Sequence, residues 1–215
     1  PKLDVIDSKN NQLTSLNVAN GLNSSFILFN ATNNPNLTCI EVDAVSYSTS
    51  NWTNIDAGAS FSEDCNPCIV TIPDANFKAY LIGNTAINTN GDTEIQCDEA
   101  SAFTGQLDCN NLRISDLTGI EAFTALTKLW CYNNSLTSLD VSQNILLTNL
   151  YCFNNLISSL DLTETAITVL RCNDNLLTSL NVANGLNSNI QTTSFRSQNN
   201  PNLTCIQVDN VAYST

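Results

Sequence analysis

Read as apolar and polar positions, the chain repeats one frame: L-x-x-L-x-C-x-x-N-x-L. It falls on Leu126, Leu129, Cys131, Asn134 and Leu136, then on Leu147, Leu150, Cys152, Asn155 and Ile157, then on Ile167, Leu170, Cys172, Asn175 and Leu177. Cys109, Cys131, Cys152 and Cys172 are 22, 21 and 20 residues apart. A variant of the frame occupies Leu3, Ile6, Ser8, Asn11 and Leu13. The alternation around each cysteine has the period of a strand with one inward and one outward face. The stretches that follow, "LTSLDVSQN", "ISSLDLTET" and "LTSLNVANG", supply a second inward stripe on the return side. Residues 73–82, "PDANFKAYLI", predict a helix with Pro at its start and Phe77, Tyr80 and Leu81 on one face. "DEASAF" predicts a second, shorter one.

A period of 20–22 residues in this frame is the signature of a leucine-rich-repeat solenoid built of short parallel strands. One rung cannot bury its own apolar face, whereas stacked rungs share a continuous core. A longer period is superimposed. "LTSLNVANGLNS" at 13–24 returns at 177–188, and "NNPNLTCI" at 33–40 returns at 199–206. Tandem modules are therefore expected. Residues 1–24 are the last rungs of one module, 25–68 its terminal rung and cap, and 69–106 the helical N-cap of a second. Residues 107–194 are the rungs of that second module, and 195–215 its terminal rung and the start of a cap. The chain opens within a rung and stops within a cap, as a window on a longer repetitive protein would.

Composition narrows the function classes. The formal net charge is −13 with only seven Lys and Arg, which appear scattered and argue against nucleic acid as partner. No apolar run is long enough to span a membrane. There is no His, which removes Ser–His and Cys–His nucleophile pairs and His-ligated metals, and no cofactor-binding glycine motif is present. The expectation is a protein that is not an enzyme.

The repeated Asn reads as a structural ladder bonded to backbone, and the Asp140, Asp161 and Asn181 column as turn chemistry. "NTNGDTEIQCDE", residues 88–99, resembles an EF-hand-type calcium loop, with Asn88, Asn90, Asp92, Glu94 and Glu99 as candidate ligands. It departs from that pattern at Asn88, where Asp is usual, and at Thr93, where Gly is usual. The alternatives are a structural loop or a weak calcium site, calcium being the one cofactor considered. Of nine cysteines, the four in the inward column read as buried thiols. Cys39 and Cys65 bracket the first cap and are expected to pair, stapling a segment with little core of its own. Cys205 repeats Cys39, and the counterpart of Cys65 would lie past residue 215. Cys68 and Cys97 are left to tie the N-cap, with a redox Cys65–Cys68 pair as the alternative reading of "CNPC".

"LTKLWCYNNSLTSLDVSQN", "IPDANFKAYLIGNTAINTNGDTEIQCDEA" and "NPNLTCIEVDAVSYSTSNWTNIDAGASFSEDC" resemble the internalin-like leucine-rich-repeat proteins secreted by Bacteroidota, flavobacteria especially. The resemblance implies a right-handed solenoid, an extracellular or cell-surface location, export by the type IX system, and adhesion or ligand binding. Trp52 and Phe61 are expected to cover the first module's apolar end. The outward slots flanking the cysteines read Asp108 and Asn110, Trp130 and Tyr132, Tyr151 and Phe153, Arg171 and Asn173. Four rings on neighbouring rungs predict one aromatic platform edged by Arg171, suited to a glycan or a protein partner. The competing expectations are that the rings only stack on each other, or that modules pack end to end, with each other or with further copies, as a stalk or filament.

Overall fold

Strands of two or three residues appear wherever the frame places an apolar residue before its cysteine. A computed structural model of the chain describes residues 4–66, 68–190 and 193–213. It divides into two units, Pro1–Pro67 and Cys68–Thr215, and each is a leucine-rich-repeat solenoid. In the second, Gln106–Asp108, Lys128–Trp130, Asn149–Tyr151, Val169–Arg171 and Phe195–Arg196 form one five-stranded parallel sheet in chain order. The register places Leu107, Leu129, Leu150, Leu170 and Phe195 side by side. The four leucines and the four cysteines two residues on are wholly buried. The return stripe forms a second parallel sheet, Ser159–Asp161, Ser179–Asn181 and Ile206–Gln207, with Leu160, Leu180 and Ile206 in register.

Two adjacent positions, asparagines on most rungs, close the turns by different means. The second of the pair is inward. Asn155 donates through Nδ2 to the Cys131 and Cys152 carbonyls at 3.0 and 3.1 Å and accepts the Leu136 N–H at 3.0 Å. Asn134, Asn175 and Asn200 repeat this one rung apart, and Asn34 does so in the first unit. The first of the pair is left-handed: Asn133 and Asn154 have φ of 54°, Asn111 has 57° and Asn199 has 59°. Asn tolerates that region better than other side chains with a Cβ. These side chains link outside the core, Asn154 to Asn133 at 2.7 Å and Asn133 to Asn111 at 2.9 Å. Asp140, Asp161 and Asn181 each accept the N–H two residues on, so that column is turn chemistry.

The N-terminal end of this sheet is covered by helix Ala75–Ile82, which buries Phe77 and Leu81. It starts two residues after Pro73 because Asp74 is the cap: its Oδ1 accepts from the N–H of Asn76 and Phe77 at 2.9 and 3.0 Å. The second short helix is Cys97–Ala102. Cys68 is bonded to Cys97, beside an antiparallel bridge between Ile69 and Gln96.

In the first unit, Val5–Asp7 pairs with Leu28–Asn30, and Leu16–Asn17, Cys39–Glu41 and Ser60–Ser62 form a parallel sheet. Leu3, where the first frame begins, lies outside the described residues. Trp52 closes the core, stacked on Phe29 at 4.3 Å and met edge-on by Phe61 at 5.8 Å. A helix, Val45–Asn51, precedes it, and Cys39 is bonded to Cys65. The same clasp recurs in both units. Asp43 accepts the N–H of Gly21 and Asn23, and Asp209 those of Gly185 and Asn187.

Candidate functional site

The outward face of the five-stranded sheet is set by the strand alternation that buries leucine and cysteine. Its middle row runs, in register, Asp108, Trp130, Tyr151, Arg171 and Arg196. The backbone ladder continues past each cysteine, with Asn111 N–H to Tyr132 O and Asn133 N–H to Phe153 O, so Asn110, Tyr132, Phe153 and Asn173 form a parallel row. Two residues earlier lie Gln106, Lys128, Asn149 and Val169.

The four rings are half-buried and come together, but not as one flat platform. Trp130 and Tyr151 stack face to face with centroids 5.3 Å apart and planes 3° from parallel. Tyr132 and Phe153 do the same at 4.5 Å and 8°. The Arg171 guanidinium lies over the far side of Tyr151, 4.6 Å from its centroid. The cause is register. Equivalent side chains on parallel strands about 4.8 Å apart have ring-stacking separation, whereas neighbours along a strand are nearly 7 Å apart. The rings form two ribs across the strands, with their faces spent on each other and their edges turned outward. Trp130 Nε1 and Arg171 Nε are enclosed with no hydrogen-bond acceptor. Asp108 ends the row: its Oδ1 accepts from Asn110, and its N–H donates to the Tyr80 hydroxyl at 3.0 Å.

Part of the basic charge gathers on this face. Lys128, Arg171 and Arg196 are three of the seven in the chain, and all stand on this face. Lys128 was legible in the sequence as the residue two before Trp130, hence on the same side of the strand.

The other candidate residues have separate fates. Asn88, Asn90 and Asp92 share one loop, and Glu99, in the first turn of helix Cys97–Ala102, reaches back to it; their oxygens accept from the loop's own donors. Asn88 Oδ1 accepts from Gly91 N–H, Asp92 Oδ1 from Glu94 N–H, and Glu99 Oε1 from Thr89 N–H and Oγ1. Glu94 is held by Lys78 at 2.7 Å. These bonds hold the segment in shape through its own side-chain oxygens. Among the described residues no cluster of His, Cys, Asp and Glu could hold a metal. The column cysteines are inert by burial, which pushes Cys109 and Cys172 up to about 12 and Cys131 and Cys152 well above the ordinary thiol range. Cys65 and Cys68 pair with different partners, which removes the redox alternative.

No protein-family model matches the chain. Over 72 residues, 34% of its length, it is 42% identical to Internalin J of Listeria monocytogenes serotype 4b (strain F2365). Over that stretch the chain is internalin-like. It spans 8% of that protein's length. A solved structure, described as the functional domain of InlJ from Listeria monocytogenes and as including a cysteine ladder, matches at 37% identity and a TM-score of 0.47, over 66% of this chain and 30% of that one. Both matches are to a Listeria protein, and a Bacteroidota origin draws no support from them. No helix among the described residues is long and apolar enough to cross a membrane.

Proposed function

We propose that this chain is a non-enzymatic binding module of a tandem leucine-rich-repeat protein at an extracellular surface, and that its partner docks on the outward face of the sheet from Gln106 to Arg196. The observation that carries this reading is the pair of half-buried aromatic ribs, Trp130 with Tyr151 and Tyr132 with Phe153, beside Arg171. Slots that differ on every other rung hold rings on these two, although aromatics are only 7% of the chain. Aromatic and Arg side chains are the types that dominate contact energy at interfaces. The internalin likeness supports a surface adhesion role, and the flavobacterial resemblance adds type IX export to the proposal. The test is a panel of surface glycans and surface proteins screened with the wild-type chain and with Trp130→Ala/Tyr151→Ala. Partners lost from the variant, whose circular dichroism is unchanged, support the reading, and unchanged binding to every partner found overturns it.

A second reading has its own observation. The Asp43 clasp on Gly21 and Asn23 is rebuilt at Asp209 on Gly185 and Asn187, so the capping chemistry recurs about one module later. Such modules suit end-to-end stacking in a stalk or filament. Electron microscopy separates the two: regular fibres favour stacking, and discrete particles that bind a partner favour the first reading.

A further inference from the structure

The proposed face has a sign opposite to that of the chain. Lys128, Arg171 and Arg196 stand on it against one carboxylate, Asp108, in a protein of net charge −13. Arg171 and Arg196 are in register on adjacent strands, about 4.8 Å apart along the sheet, where like charges repel. The chain has twenty Asp and Glu residues, yet among the described residues none forms an ion pair with either arginine. The ion pairs among the described residues are Lys9 with Asp7 and Lys78 with Glu94, both elsewhere. Stacking on Tyr151 holds the Arg171 fork in place before any ligand arrives.

We propose, resting on the sheet-face reading above, that the partner is a carboxylate-rich protein segment that lies across the strands. Its carboxylates meet Arg171, Arg196 and Lys128, and its backbone carbonyls meet the ring edges. Guanidinium forks match carboxylates in geometry. The outward ring edges carry the positive side of the aromatic quadrupole and favour carbonyl and carboxylate oxygens. Both faces of Tyr151 are taken, by Trp130 and by Arg171, and Tyr132 and Phe153 take one face of each other, which narrows the aromatic surface open to a sugar ring.

The chain has two tryptophans, and Trp52 is buried in the first unit, so Trp130 emission reports this face. The 215-residue chain is titrated with poly-L-glutamate, heparin and dextran. Poly-L-glutamate is expected to change Trp130 emission, with an affinity that falls as salt rises. Arg171→Gln/Arg196→Gln should weaken it about tenfold or more, Arg171→Lys should lose part of that, and Arg113→Gln, away from the face, should lose none. No response to poly-L-glutamate, an unaffected double variant, or tighter binding of heparin than of poly-L-glutamate each overturns the proposal. A partner lost with Trp130→Ala/Tyr151→Ala but indifferent to the arginine pair defeats the acidic-segment inference and leaves the face in place. A partner indifferent to both pairs defeats both.

Discussion

A single residue type, asparagine, does two different jobs at adjacent positions, and substitutions should separate them. Asn155 is buried, is the acceptor for the Leu136 N–H, and shares the Cys131 carbonyl with Asn134 and the Cys152 carbonyl with Asn175. Asn155→Ala leaves the Leu136 N–H unpaired and takes one of two donors from each carbonyl, so a loss of about 1–3 kcal/mol is expected from urea midpoints. Asn154 is exposed and is there for its left-handed backbone, φ 54°. Asn154→Gly should therefore stay within about 0.5 kcal/mol of wild type, because Gly adopts that conformation without strain. The cysteines also divide. Cys205 is exposed, and Cys109, Cys131, Cys152 and Cys172 are buried thiols whose ionisation burial opposes. Ellman's reagent at pH 8 should titrate one thiol in the native chain and the remaining four only after unfolding.

At the scale of the element, helix Ala75–Ile82 depends on one carboxylate. Asp74 caps it and also accepts from the Ser115 N–H and hydroxyl at 2.8 and 2.9 Å, which ties the cap to the first rung. Partial burial works against its charge, but the bonds from Ser115, Phe77 and Asn76 outweigh it and leave its pKa below the ordinary 3.8. The folded value is depressed, so this stabilisation is complete above the unfolded value and lost as pH falls through the folded one. Backbone N–H bonds lower Asp43, Asp92 and Asp140 in the same direction. The melting temperature should fall steeply below about pH 4. Asp74→Ala should cost about 1–2 kcal/mol at pH 7 and show a shallower acid loss. Asp74→Asn, which keeps an acceptor, should cost less.

The elements show what the sequence could convey. The rungs were legible because Leu, Cys and Asn recur at fixed offsets, and the helix because Phe77 and Leu81 fall on one face. Helix Val45–Asn51 was not, since "VSYSTSN" has no apolar period and only tertiary contacts select it. The site residues could be named from their slots, but the ring geometry could not. Whether Trp130 opposes Tyr151 or an offset neighbour depends on register between strands, and two ribs follow from that register where spacing along one strand suggests a sheet of rings.

For the whole molecule, the two units should come apart in sequence on heating. Repeat solenoids gain stability rung by rung, and the first unit's buried core is the smaller of the two clusters. It also depends on the Cys39–Cys65 bond, which closes a separation of 26 residues. A link of that span contributes about 3–4 kcal/mol by restricting the unfolded chain. The tryptophans divide between the units, Trp52 in the first and Trp130 in the second. Trp130→Phe keeps an aromatic ring in the rib and leaves Trp52 as the only tryptophan, so its emission follows the first unit alone, while circular dichroism is dominated by the longer second unit. Trp52 emission should be lost several degrees below the circular dichroism midpoint. Cys39→Ser/Cys65→Ser in that background should widen the gap by lowering the emission midpoint and leaving the other in place. Coincident midpoints that move together would show instead that the two units unfold as one cooperative body.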